Sequence, residues 1–206
     1  FNPAFYNADS VSAQQEKINQ NPHFVYLAYF APGVIKVGIS QEERGIRRLL
    51  EQGARLALKL ETFSSALIAR QYEAKIARLG GVVETMPIHK KLELIKQPFD
   101  RADGEKKLQQ KLLEIEQKIG VSFPKSELIP CEDYFHTAGV DLTRVVLMKD
   151  QSQLAGRVRS IIGPILIADY DGQLLAYNLK KFIGYRAQKI TEPIELELPS
   201  EQLTLF

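Results

Sequence analysis

Four residues of this chain, Tyr26, Lys36, Arg48 and Glu73, could do chemistry together by their types and order. Metal-assisted cleavage of a phosphodiester needs a carboxylate to hold a hard divalent ion, a cation to stabilise the charge that grows on the phosphoryl oxygens, and a hydroxyl or amine to help activate water. Glu73 supplies the carboxylate. It is the candidate ligand for a single Mg²⁺ or Mn²⁺, because substrate phosphate and water can complete the shell of such an ion. Arg48 supplies the cation, and the Tyr26 hydroxyl and Lys36 amine are the groups that can handle water. Arg44, Arg47, Arg55 and Lys59 cluster around Arg48 in the sequence and are candidate contacts to nucleic-acid phosphates, with a solvated helix face as the bland alternative. Bland accounts exist for the other residues too: Tyr26 as a core aromatic, and Glu73 paired with Arg48 or Lys36 in a structural ion pair.

Such groups act together only if the chain folds them onto one spot. The run His23 to Phe30 is aromatic and β-branched, Ala31-Pro32-Gly33 is turn-forming, and Val34 to Ile39 is again apolar, which predicts an antiparallel hairpin carrying Tyr26 and Lys36. A helix is predicted from about Glu43, with Arg48 on it and Gly53 closing it. Leu56, Leu58 and Leu60 alternate in a third strand. Ser64 or Ser65 caps a second helix running to about Leu79, on which Leu67, Ile68, Ala69, Tyr72, Ile76 and Leu79 share a face with Glu73 at its edge. Pro87 and Pro98 bound a lysine-containing connection, and a charged amphipathic helix from Asp103 to about Lys118 turns Leu108, Leu112 and Ile115 inward before Gly120. A short helix from Ser10, its N-cap, to Asn19 precedes all of these.

Beyond residue 120 the pattern changes. Phe123-Pro124, Ile129-Pro130 and Cys131-Glu132-Asp133 are irregular, and after them come only short strand-like runs, near 142–148, 153–161, 165–170, 174–179 and 184–190. Asp171-Gly172 predicts a type I′ hairpin turn, and Gly156, Gly163 and Gly184 are placed to bend or bulge a curled sheet. Five such strands predict a small β-barrel. The expected organisation is an extension over 1–21, an α+β domain over 22–120, a connector over 121–141 and a β-rich domain over 142–206.

The chain has 206 residues, of which 45% are hydrophobic and 25% charged, and it carries a net charge of +2. That suits a globular fold and excludes collagen, a coiled-coil rod or long disorder. Its one cysteine, Cys131, excludes a disulfide framework and a thiolate zinc site, and His23, His89 and His136 lack ligand spacing. Apolar stretches such as Ile161 to Ala168 are too short to cross a bilayer and no signal segment opens the chain, so a cytoplasmic protein without a membrane partner is expected. It begins at Phe1 rather than Met, so residues ahead of Phe1 are expected. Segment 36–111 carries 16 of the 27 Lys and Arg but 10 of the 25 Asp and Glu, whereas Glu192, Glu195, Glu197 and Glu201 make the end acidic. A locally basic module is what phosphate-backbone binding requires. Asp169 to Gly172 lacks the remaining positions of a calcium loop, and Lys180-Lys181 with Phe182 and Tyr185 is at most a secondary basic, aromatic surface.

Val25-Tyr26-Leu27, followed ten residues after Tyr26 by Lys36-Val37-Gly38-Ile39-Ser40, resembles the two signature strands of the GIY-YIG endonuclease superfamily, in a variant with Lys-Val-Gly at the second. The longer pattern, with Arg48-Leu-Leu-Glu-Gln-Gly-Ala54 seven residues on and Glu73 nineteen beyond, is similar to the domain of unknown function 2797 family. Looser similarity covers Ile161 to Ile167 and Tyr177 to Tyr185. The resemblance implies a three-stranded antiparallel sheet flanked by helices, with a divalent metal at Glu73. It also implies Tyr26 as general base or water positioner, Lys36 in the second tyrosine's place, and Arg48 as the phosphate-stabilising arginine. Zinc-binding cysteines that members of the group often carry ahead of the first strand have no counterpart here. The expected function is that of a metal-dependent endonuclease acting on DNA or RNA. The alternatives are a nucleic-acid-binding module without catalysis, or a protein-interaction scaffold.

Overall fold

A computed structural model of the protein describes residues 12–148, 152–190, 195, 196 and 198. Ser10, and Glu192, Glu197 and Glu201 of the acidic end, lie outside the described residues.

The described chain begins with helix α1 (Ala13–Gln20), whose first turn is capped by Ser12 accepting from the Gln15 amide at 3.2 Å. Strands β1 (His23–Ala31) and β2 (Val34–Gln41) form the expected antiparallel hairpin, which pairs Tyr26 with Gly38 and Lys36 with Ala28. A 3-10 turn (Glu42–Arg44) leads into α2 (Gly45–Leu50), and β3 (Leu56–Phe63) returns along the other side of β1. Helix α3 (Ala66–Arg78) is capped by Ser65, and α4 (Ile88–Ile95) occupies the segment that reads as a connection. Next comes α5 (Arg101–Ile119), with Asp100 accepting from the Asp103 amide at its start and left-handed Gly120 at its end.

The first sheet has four strands rather than three, in the order β2-β1-β3-β4. The fourth, β4 (Glu127–Ile129), pairs antiparallel with β3. Three residues are too few to show alternation. Strand β1 is central and buried along its whole length, which is why its sequence is almost continuously apolar. Val25, Leu27 and Tyr29 face a core made with α3 and α5. Phe24, Tyr26, Ala28 and Phe30 face a second core, which includes Leu92 and Ile95 of α4.

The C-terminal strands form an open sheet, not the expected barrel. Strands β5 (Val146–Leu147), β6 (Arg157–Ile162), β7 (Ile165–Tyr170) and β8 (Gln173–Asn178) lie in the order β5-β8-β7-β6. Asp171 and Gly172 both take positive φ, as the predicted turn requires. Residues 184–190, expected to be the fifth strand, contribute none; they are solvent-exposed, without an apolar side to bury against the sheet. Among the described residues no strand joins the two edges, and the sheet stays open.

Ile162, Ile165, Ile167 and Ala176 of the second sheet enter the same core as Phe24 and Tyr26. Backbones meet where the two sheets join: a Cβ on Gly163 would lie 2.6 Å from the Gly53 nitrogen, and Gly163 has φ +57°. Only glycine fits at that position.

Candidate functional site

The hairpin fixes two of the candidate residues. Directly paired residues of an antiparallel ladder share a face, so Lys36, opposite Ala28, and Gly38, opposite Tyr26, lie on the Tyr26 side of the sheet. A Cβ on Gly38 would come within 2.5 Å of the Tyr26 hydroxyl oxygen. The glycine of the Lys-Val-Gly run is therefore the space into which the tyrosine ring fits. Arg48 comes from α2. Glu73 comes from α3, where it is buried with Ala66, Ala69 and Ile76. Its position corrects the predicted helix face: Leu67 is 58% exposed, and the carboxylate stands within the buried stripe instead of at its edge.

The four groups act on one another electrostatically. Burial pushes the Tyr26 hydroxyl above its ordinary pKa, Arg48 draws it down, and Glu73 raises it. Burial lowers the Lys36 ammonium to about 8, with Glu73 acting against that shift and Arg48 reinforcing it. Glu73 is raised by burial and partly restored by Arg70 and Lys36. Arg48 comes close enough to the Tyr26 hydroxyl to lower its pKa as a hydrogen-bond donor does, yet the contact falls short of good geometry, and Tyr26 Oη and Arg48 Nε are both buried without a well-formed partner. Buried polar atoms of this kind are satisfied by water or by a polar ligand. A cavity of about 270 Å³ is walled by Arg44, Arg48, Arg70, His23, Ser40 and Asn19; of the four candidate residues Arg48 lines it, and Tyr26, Lys36 and Glu73 lie behind its wall.

Two residues missed by the sequence reading belong here. Arg70, one turn before Glu73, pairs with its carboxylate. Lys91 on α4 is buried, donates to the main-chain carbonyl of Gln52 and lies 5.4 Å from the centroid of the Phe30 ring. Its signal was available, since Ile88, Lys91, Leu92 and Ile95 recur at helical spacing.

The remaining candidate cations are placed differently. Arg44 pairs with Glu51 and acts on Tyr26 through its charge, while Arg47 is exposed on α2. Arg55 donates to the carbonyls of Ile95 (2.6 Å) and Gln97 (2.7 Å), closing the end of α4, and stacks 5.0 Å from the Phe99 centroid. Lys59 holds Glu42 at 2.7 Å and covers Phe24. Cys131 is buried and its thiol pushed up to about 12, consistent with an inert side chain.

Among the described residues no three His, Cys, Asp or Glu side chains come together. A divalent ion would therefore rest on the Glu73 carboxylate, with phosphate and water oxygens completing its shell. Glu73, which already pairs with Arg70, and Glu84, whose charge acts on both Glu73 and Lys36, are the hard oxygen donors that an ion arriving with phosphate would meet.

Two buried lysines with lowered pKa values have a thermodynamic consequence. Unfolded, both would titrate near 10.4; folded, Lys36 and Lys91 lie at about 8 and about 7. Between those limits the unfolded chain binds more protons, so stability rises with pH. Cys131, raised from 9.0 to about 12, and Tyr26, raised from 10.0, act against this rise at the alkaline end of the window. Chemical denaturation at pH 7 and pH 9 should show greater stability at pH 9, and a flat or falling profile would contradict the burial of these ammonium groups.

Among the described residues no helix is long and apolar enough to cross a membrane. No curated protein and no solved structure matches the chain. A family model with the description "Protein of unknown function (DUF2797)" matches residues 7–187, and the chain belongs to that family.

Proposed function

We propose that this protein hydrolyses phosphodiester bonds in DNA or RNA with Mg²⁺ or Mn²⁺, as a GIY-YIG-like endonuclease. The observation that carries this reading is the coupling of Tyr26, Lys36, Arg48 and Glu73, from four separate elements, around two unsatisfied buried polar atoms. Glu73 would hold the ion, which when bound supplies Lewis-acid polarisation of the phosphoryl group. Arg48 offers an unused Nε–H to a non-bridging phosphate oxygen. Tyr26 keeps its proton, because burial raises its pKa, and so serves as a donor that orients water or phosphate. Lys36, at about 8, is the group able to accept a proton from water at mildly alkaline pH. Arg44 and Arg70 line the cavity along which the backbone would enter.

Incubation with single- and double-stranded DNA and RNA plus either metal tests this reading. Cleavage should require metal and accelerate as pH rises through about 8. Cleavage that persists unchanged in Glu73→Ala would overturn the assignment. One observation favours a second reading, a nucleic-acid-binding module without catalysis: Arg70 already compensates the Glu73 charge in the absence of metal. Salt-sensitive binding with no cleavage at any metal concentration would decide for it.

A further inference from the structure

The junction between the two sheets gathers a second set of cations. Lys91 donates to the carbonyl of Gln52, the residue next to Gly53, which the backbone of Gly163 approaches. Beside Gly163, the Pro164 carbonyl accepts from the Leu179 amide at 2.9 Å, and Lys180 follows directly in an exposed 3-10 turn (Leu179–Phe182). On the first sheet, Lys36 lies opposite Ala28, the residue between Tyr26 and Phe30 on that face, and Lys91 covers Phe30.

Around Lys91 the charges are all of one sign. Burial lowers its pKa to about 7, with Lys180, Lys36 and Arg48 each lowering it further. Its hydrogen bond, and that of Lys36 to the Val37 carbonyl (3.1 Å), go to neutral main chain. A buried ammonium surrounded by other cations calls for an anion. Closing the end of α2 would account for Lys91 alone, but not for Lys180, whose charge acts on it from the other sheet.

We propose that Lys91 and Lys180, next to Lys36 and Arg48 of the candidate site, form an anion subsite at the sheet junction that holds a backbone phosphate next to the one being cleaved. The subsite deepens the nuclease reading and rests on it for the identity of the phosphate. It gives the C-terminal sheet a direct part in substrate binding, through Lys180.

Sulfate, which does not titrate near pH 8, is the probe. Calorimetry at pH 8 in buffers of different ionisation enthalpy should show sulfate binding with net proton uptake, mostly as Lys91 becomes charged and in part as Lys36 does. Lys180→Gln, a surface change, should weaken binding about fivefold, and Lys91→Met should weaken it about 20-fold and remove most of the proton uptake. Lys106→Gln on the exposed side of α5 should change neither. Sulfate affinity indifferent to Lys180→Gln and Lys91→Met, or binding without proton uptake, would overturn the subsite. Should cleavage depend on Glu73 while sulfate ignores both lysines, the subsite alone fails. Sulfate binding as described in a protein that cuts no nucleic acid would support the subsite and remove the nuclease reading.

Discussion

Glu73→Gln is expected to slow cleavage by at least about 10²- to 10³-fold at saturating metal, while nucleic acid binds in metal-free buffer as tightly as to the wild-type protein or more tightly. Both effects follow from one charge. Glutamine keeps the volume and an oxygen, so α3 can retain its packing against the sheet, but a neutral amide oxygen is a poor ligand for a hard divalent ion. Lys36, Arg48 and Arg70 then face the phosphate without a competing carboxylate, which favours the bound backbone electrostatically. Single-turnover rates with filter or anisotropy binding on the same samples check the result. Loss of binding in parallel with cleavage would assign Glu73 a structural role as the partner of Arg70.

Gly38→Ala should destabilise the protein by about 1–3 kcal/mol through overpacking, lowering the melting temperature by roughly 3–10 °C for a chain of this size. The added methyl would fall 2.5 Å from the Tyr26 hydroxyl oxygen and 2.6 Å from Cζ, and Tyr26 is fully buried, so the ring has no solvent to swing into. Tyr26→Phe should not relieve the clash, since Cζ remains. Tyr26→Leu should, so that the double variant loses less stability than the two single variants together. A thermal denaturation cycle showing simple additivity would mean that the ring and the glycine do not share that space. The single Gly38→Ala variant should also lose activity, because the displaced hydroxyl no longer stands beside Arg48.

Much of the first sheet was legible because its local signals and its burial agree. The aromatic and β-branched run of β1, the alternation of β3, the Ser65 cap and the left-handed Gly120 each act over a few residues, and nothing distant opposes them. The Asp171-Gly172 turn is of the same kind. Helix α4 was hidden by its borders, since two prolines only eleven residues apart suggest a connection, although Pro87 is tolerated just before the first turn. Its buried stripe includes a lysine, and Glu73 interrupts the stripe of α3 in the same way. Periodicity arguments assume that apolar residues mark the inside, so they fail where a charged group has been drawn inward, and here those places are in or next to the candidate site. The missing fifth strand of the second sheet has a different cause. Gly184 to Ile190 has residues suited to a strand, yet pairing depends on an edge and an apolar surface that no local signal reports.

Synthesis delivers the chain from its N-terminus, and the core around Tyr26 is finished from the other end. Phe24 and Tyr26 emerge early, whereas Ile162, Ile165, Ile167 and Ala176, which pack into the same core, are among the later residues made. Until those strands leave the ribosome, the face of β1 that carries Tyr26 lacks part of its cover and Lys180 has not been translated. A nascent chain therefore displays an unfinished site for most of its synthesis. On the nuclease reading proposed above, the site would be completed only after the polypeptide is nearly free of the RNA that encodes it.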